Sequence, residues 1–230
     1  MYFFGIDATY LFLVLPAVLL AFWAQINVKT TFSKYSRIPT ARGMTGSQAA
    51  RAILDANGLY HVRIATVSGD LTDHFNPSDN TVYLSDTVHS VPSAAAVGVA
   101  AHEAGHAVQH AVGYGPMKLR AAIIPITNIG SNLAMPLILL GIVLSFPTLA
   151  LIGVAAFGLS TLFQLITLPV EFNASSRALS ALRAYLEPSE QKSAKKVLTA
   201  AALTYVAALA VSLANLLRLL LLVRGNNRRR

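Results

Sequence analysis

Four long apolar runs limit what this chain can fold into more than any other feature of its sequence. Hydrophobic residues make up 54% of its 230 residues and charged residues only 12%, with a mean hydropathy of +0.55. That composition is too apolar for an ordinary soluble domain. A helix crosses a bilayer with about 20 apolar residues. The sequence therefore predicts four transmembrane helices, over residues 10–26, 121–146, 148–170 and 197–223.

The first run predicts a retained membrane anchor. Residues 1–10 contain no Lys or Arg, and no A-x-A cleavage site follows, which argues against a signal peptide. Basic residues follow the run directly, and the positive-inside rule places them in the cytoplasm: these are Lys29, Lys34, Arg37 and Arg42. The net charge of +8 is thus explained by attraction to anionic lipid, and we expect a lipid bilayer as partner and no nucleic acid.

The second and third runs predict a tight transmembrane hairpin. Only the short, uncharged turn at residues 145–147 separates them. Two spans return the chain to the side it left, so residues after 170 lie on the same face as residues before 121. This gives a predicted organisation of five parts: an anchor (1–26), a polar domain (27–120), the hairpin (121–170), a helix (171–196), and a fourth transmembrane helix with a basic tail (197–230).

The polar segment predicts a small α+β domain. Thr45 and Ser93 are suitable N-caps for helices over residues 48–56 and 93–112. Alternating residues predict strands at 61–68 and 81–85. The strand at 81–85 comes just before the second helix. It can either bind an extended substrate backbone or be an ordinary sheet strand.

The helix over residues 93–112 carries an H-E-x-x-H motif at His102, Glu103 and His106. Residues four apart on a helix share one face, so both imidazoles can point at one metal ion. Zinc takes such ligands, and Glu103 lies beside that point, where it can act as general base on a bound water. The small residues Ala101, Ala104 and Gly105 would let another element pack close to the metal.

A catalytic zinc ion needs a third protein ligand, and few residues can supply it. The chain has no cysteine, and its only acidic residues after His106 are Glu171, Glu187 and Glu190. Glu187 and Glu190 flank Pro188 at a helix start, where acids favour the helix dipole. Glu171 follows the hairpin, on the face of the two histidines, and a carboxylate at a membrane boundary needs a partner. We therefore predict Glu171 as the third ligand, with an Arg177 salt bridge as the alternative.

The remaining histidines have weaker arguments. The metzincin pattern is absent, because Gln109 and Val112 stand where it requires Gly and His. His110 lies eight residues from His102, about 12 Å along a helix, so it cannot join both other histidines on one ion. His74 and His89 remain open as oxyanion donors, as a fourth ligand or as surface residues.

Four segments resemble the bacterial membrane neutral zinc metallopeptidase family, the YugP-like group. They are G-D-L-T-D-H-F-N-P at 69–77, V-Y-L-S at 82–85, A-A-H-E-A-G-H-A-V-Q at 100–109 and P-V-E-F-N-A-S-S-R-A at 169–178. The resemblance covers nearly the whole chain and implies a zinc-dependent integral membrane peptidase. The chain is also similar to membrane gluzincins, in which an E-x-x-x-D helix supplies the glutamate ligand. Ser175 stands where those enzymes have Asp.

Together these observations predict an α-rich multi-pass membrane protein: four transmembrane helices with a small α+β, zincin-like (gluzincin-like) domain. The predicted function is a zinc endopeptidase of the cell membrane, active at the cytoplasmic side on a peptide or membrane-protein segment. One catalytic Zn²⁺ would be held by His102, His106 and Glu171, with Glu103 as general base. Two alternatives are a site-2-type intramembrane protease, which needs a later aspartate ligand, and a non-catalytic scaffold with structural zinc, which needs a fourth protein ligand.

Overall fold

The computed structural model describes residues 7–227, so the predicted basic tail at Arg228–Arg230 lies outside the described residues. A π-helical turn at Tyr10–Val14 leads into the first α-helix. The elements in chain order are α1 (Leu15–Tyr35), α2 (Gly46–Ala56), β1 (Arg63–Val67), β2 (His74–Asn76), β3 (Thr81–Ser85), α3 (Asp86–His89), α4 (Ala94–Ala111), α5 (Gly115–Val143), α6 (Pro147–Leu182) and α7 (Pro188–Asn227).

The prediction of four membrane-spanning helices is confirmed by length and composition. In residues 7–227, four helical segments are long and apolar enough to cross a bilayer: Tyr10–Tyr35, Gly115–Val143, Pro147–Leu182 and Pro188–Gly225. The predicted helix boundary near Glu171 is wrong, because α6 continues through Pro169 to Leu182. A proline removes one helical hydrogen bond, and apolar helices tolerate this when neighbouring groups satisfy the freed carbonyl.

The chain divides into two compact units. The described part of the first comprises residues 7–24, 119–168 and 204–227, and it contains most of the apolar helices. Small residues let α5 and α6 approach closely here: a Cβ on Gly153 would lie 2.7 Å from the backbone nitrogen of Ile138. Such close backbone approach is typical of membrane hairpins.

The second unit, residues 25–118 and 169–203, contains the sheet. Its three described strands have the order β1-β3-β2, with β1 parallel and β2 antiparallel to β3. The predicted strand at 81–85 is confirmed, and the one at 61–68 is shorter, at Arg63–Val67. β1 pairs with β3 along residues 81–85 and β2 pairs with it at residues 81–83, so β3 is the central strand of the described sheet.

The helix that carries the motif begins and ends close to where the sequence predicts. The Ser93 hydroxyl accepts a hydrogen bond from the backbone N–H of Ala96 at 3.2 Å, and α4 ends at Ala111, just before Gly113 with its positive φ of 65°. Thr45 and Gln48 form a reciprocal capping box on α2. Helix α4 is buried along most of its length, which fixes the direction in which its histidines point.

Candidate metal centre

Helix α4 presents His102 and His106 to the same carboxylate. Their ring centroids lie 4.6 Å apart, with ring planes at 83°. The Nε2 atom of His102 is 3.3 Å from Oε2 of Glu171, and that of His106 is 3.5 Å from the same oxygen. All three side chains are largely buried, Glu171 most of all at 4% exposure. The structure thus brings together the three residues that the sequence singled out.

The distances fit a bound metal ion better than a pair of hydrogen bonds. Charge-assisted N–H···O bonds are about 2.7–2.9 Å long, shorter than both separations. Tetrahedral zinc with bonds of about 2.0–2.1 Å places its ligand atoms roughly 3.4 Å from one another. The separations of 3.3 and 3.5 Å lie on either side of that value. The donor set, two imidazoles and a carboxylate, is also one that zinc accepts.

Small residues allow α6 to approach α4 at this point. Ala101 and Ala104 are fully buried, and a Cβ on Gly105 would lie only 2.8 Å from the backbone oxygen of Ala174. Ala174 is one turn beyond Glu171 on α6, so this contact sets how far the carboxylate lies from the two histidines. The expectation that these small residues admit another element is confirmed.

The electrostatic surroundings of His106 favour positive charge. Burial lowers the pKa of its imidazole, but the hydrogen bond to Glu171 and the charges of Glu103 and Glu171 outweigh burial, so the pKa is raised overall. Two carboxylates therefore face this histidine. A divalent cation between the imidazoles and Glu171 would be stabilised by the same negative charges.

Glu103 is buried and is held by strand β2. Its Oε2 accepts a hydrogen bond from the backbone N–H of Phe75 at 3.1 Å. The loop before this strand is tied to the sheet by Asp73, whose carboxylate accepts the backbone N–H of Ser85 at 2.7 Å and also the Ser85 hydroxyl. Burial raises the pKa of Asp73 although the Ser85 bonds oppose this rise. Strand β2 was missed by the sequence because it has only three residues and runs into the Asn76–Pro77 turn.

The other histidines lie outside the cluster. The His74 ring stacks on Tyr83 with centroids 5.0 Å apart, and Nδ1 of His89 is 2.9 Å from the Ser90 hydroxyl. His110 is exposed beside the Phe75 ring. Over residues 7–227, the cluster whose ligand atoms lie within 4.8 Å of one another contains His102, His106 and Glu171 and no fourth member.

Glu190 has a helix-start contact, as the sequence predicts. Oε2 of Glu190 accepts the backbone N–H of Glu187 at 2.8 Å, and Oε1 accepts that of Ala41. Arg177 donates from Nε to Oδ1 of Asn173 at 2.8 Å. Its described hydrogen bond is therefore to an amide one turn before it, and the Arg177 salt bridge considered for Glu171 is not the arrangement observed.

Two polar side chains contact the histidines from behind. Oε1 of Gln109 is 2.9 Å from Nδ1 of His106, and the Ser175 hydroxyl is 3.1 Å from Nδ1 of His102. The sequence alone used Gln109 to exclude the metzincin pattern and assigned it no role at the site. Its position seven residues after His102, on the same helical face, was the available signal.

A helix-rich chain with four candidate membrane spans and a buried His-His-Glu cluster belongs among membrane proteins with a metal-binding motif. Residues 10–224 match the family model described as "Putative neutral zinc metallopeptidase", and the chain belongs to that family. It is 46% identical over 215 residues to a Bacillus subtilis (strain 168) protein named "Putative membrane protease YugP", covering 93% of this chain and 96% of that protein. No solved structure matches the chain.

Proposed function

We propose that this protein is a membrane-embedded zinc endopeptidase. The observation that carries the proposal is the meeting of His102, His106 and Glu171 on two packed helices, with Oε2 of Glu171 3.3 and 3.5 Å from the two histidine nitrogens and all three ligand atoms within 4.8 Å of one another. Family membership and the name of the Bacillus subtilis relative support the same chemistry. In this proposal the Nε2 atoms of both histidines and the Glu171 carboxylate hold one zinc ion. When bound, zinc polarises the scissile carbonyl and lowers the pKa of its bound water.

Glu103 acts as the general base in this proposal. It follows His102 directly on α4, so its carboxylate lies beside the metal position instead of binding the ion. The Phe75 N–H binds Oε2 and fixes the orientation of the carboxylate. Oε1 is then the oxygen that takes the proton of the attacking water and passes it to the leaving amine. Strand β2 has a direct role in this arrangement, since it supplies the donor.

The domain of residues 25–118 and 169–203 is, in this proposal, zincin-like and specifically gluzincin-like. A glutamate from a second helix completes the histidine pair, as in that class. We propose peptides or segments of membrane proteins as the substrate class. The reason is that the helix bearing Glu171 is itself one of the candidate membrane spans. We place the site at the cytoplasmic side of the cell membrane, because basic residues flank it: Lys29, Lys34, Arg37, Arg42, Arg51, Arg63, Lys118, Arg120, Arg177, Arg183, Lys192, Lys195 and Lys196.

Two alternative functions are less well supported. A site-2-type protease places its motif on a spanning helix, but within residues 7–227 α4 is not among the candidate spans. It would also need a later aspartate ligand, and no Asp follows Asp86. A structural zinc site fills all four positions with protein ligands. The described cluster has three.

The test compares the purified wild-type protein with Glu103→Gln. Both should hold one zinc ion, measured by elemental analysis, because Glu103 does not bind the metal. Comparative proteomics of membranes containing each form should reveal cleavage products only with wild type, since loss of a general base costs about 10²–10⁴-fold in rate. Products at wild-type levels with Glu103→Gln would overturn the mechanism.

A further inference from the structure

The two metal-facing histidines are each held through the ring nitrogen that faces away from Glu171. Nδ1 of His106 contacts Oε1 of Gln109 at 2.9 Å, and Nδ1 of His102 contacts the Ser175 hydroxyl at 3.1 Å. Gln109 is fully buried. A buried amide has to satisfy its donors and its acceptor together, so its contacts determine which atom faces the histidine.

The amide of Gln109 has one orientation that satisfies all its contacts. Its Nε2 lies 2.8 Å from the Val170 carbonyl oxygen and 3.0 Å from Oδ1 of Asn173. Both of these atoms accept hydrogen bonds in this arrangement, so the NH₂ group must face them and Oε1 must face His106. Oε1 can only accept. His106 therefore carries a proton on Nδ1, so Nε2 is the nitrogen that is free to bind a metal ion when the ring is neutral.

Gln109 also connects the two ligand-bearing helices next to the third ligand. Val170 precedes Glu171 directly on α6, and His106 lies three residues before Gln109 on α4. One side chain thus fixes the tautomer and ring of His106 and the backbone position beside Glu171. Asn173 accepts from Gln109 and from Arg177 as well, so its own amide orientation is fixed.

The groups behind both histidines are neutral. The Ser175 hydroxyl can accept from Nδ1 of His102, and it stands where the gluzincin pattern places a carboxylate. With neutral imidazoles, the charges of Glu103 and Glu171 together balance a divalent cation. A third carboxylate behind the histidines would give the site a net negative charge.

We infer that Gln109 and Ser175 are positioning residues of the metal centre, which direct Nε2 of His106 and His102 at the ion without adding charge. This inference rests on the proposed zinc function. Groups that orient metal-binding histidines typically contribute about 10–100-fold to metal affinity. Removing either side chain should therefore weaken zinc affinity by about this factor, apart from any effect of the substitution on folding.

The test measures zinc affinity of the full-length protein in detergent by competition with a chromogenic chelator. Gln109→Leu and Ser175→Ala should each bind zinc about 10–100-fold more weakly than wild type. Matched controls are Gln191→Leu, which loses a hydrogen bond to the Leu186 carbonyl, and Ser176→Ala on the exposed side of α6. Both controls should keep wild-type affinity. Ser175→Thr, which keeps a neutral hydroxyl at this position, should recover the affinity lost in Ser175→Ala.

Two further readouts separate positioning from folding. The visible d–d spectrum of the folded, Co²⁺-loaded protein should change in Gln109→Leu but not in Gln191→Leu. Thermal unfolding of the metal-free proteins measures separately how much stability Gln109→Leu loses with its three buried contacts. Equal zinc affinities in the Gln109→Leu variant and its control overturn the inference, as does failure of Ser175→Thr to recover binding. Failure of the proposed function is a different result: a wild-type protein that binds zinc tightly but cleaves nothing.

Discussion

Gly105 offers the sharpest test of how the two ligand-bearing helices are spaced. A Cβ at this position would lie 2.8 Å from the backbone oxygen of Ala174, whereas ordinary contact begins at 3.4 Å. The obstructing atom belongs to a helix backbone and cannot rotate away. Gly105→Ala should therefore push α4 and α6 apart by up to about 0.6 Å at this contact. Overpacking of this kind costs about 1–3 kcal/mol of stability.

The same displacement acts on the metal site. Glu171 is one turn from Ala174, and its oxygen lies 3.3 and 3.5 Å from the two histidine nitrogens. Metal–ligand distances vary by only about 0.2 Å in functional sites. Moving the Glu171 carboxylate away from the metal position by several times that amount would therefore remove it as an effective ligand. We expect Gly105→Ala to weaken zinc binding at least about tenfold, the lower end of what loss of an orienting group costs.

Two other glycines provide graded controls. A Cβ on Gly98, also in α4, would lie 3.2 Å from the Cβ of Ala194, and one on Gly158 would lie 3.9 Å from a Leu216 side-chain atom. Gly158→Ala should leave zinc affinity and thermal stability unchanged, and Gly98→Ala should lower stability slightly while keeping zinc. Wild-type zinc affinity in Gly105→Ala would refute the view that this contact sets the ligand distance.

Three further predictions concern the third ligand, the orientation and a buried acid. Glu171→Ala should lose stoichiometric zinc in elemental analysis while Glu187→Ala keeps it; zinc retained in Glu171→Ala would require an upstream ligand. Because the chain has no cysteine, single cysteines at Ser78 and Ser145 can be labelled from outside with an impermeant reagent. Only the one at Ser145 should react, and the reverse result would contradict a cytoplasmic site. Burial raises the pKa of Asp73, so the folded state binds more protons than the unfolded one between about pH 4 and that raised pKa. Wild type should therefore lose thermal stability relative to Asp73→Asn as pH rises through this window, and parallel melting curves would refute the effect.

Local rules explain why much of the fold could be predicted. The Ser93 hydroxyl accepts a backbone N–H in the first turn of α4, and Gly113 has a positive φ just after the helix ends. Both effects act within a few residues and need no contact with distant parts of the chain. The apolar runs predict spans because burial in lipid depends on length and composition alone. The division at residue 171 failed because it followed the change from apolar to polar residues, whereas helix α6 continues across that change to Leu182.

Contacts between distant residues explain what the sequence could not predict. The partners of Gln109 on α6 lie 61 and 64 residues away, and the Phe75 donor lies 28 residues before Glu103. Glutamine and a backbone N–H are common everywhere, so neither indicates a site until the fold places it beside a histidine or a carboxylate. Strand β2 has too few residues for an alternating pattern, and its pairing with β3 depends on the loop that Asp73 holds.

The proposed third ligand, Glu171, lies between these two cases, because it could be inferred by elimination although it is distant in sequence from the histidines. The chain offers no cysteine and only three acidic residues after His106, and two of these flank Pro188 at the start of α7, where Glu190 accepts the backbone N–H of Glu187. Topology then returns Glu171 to the face that carries the histidines. The structure adds what elimination cannot give, which is a distance: one carboxylate oxygen 3.3 and 3.5 Å from two imidazole nitrogens, close to the tetrahedral value of roughly 3.4 Å. The described cluster has three members, and that number fits the proposed zinc ion with an open position better than a structural zinc site, which fills all four positions with protein ligands.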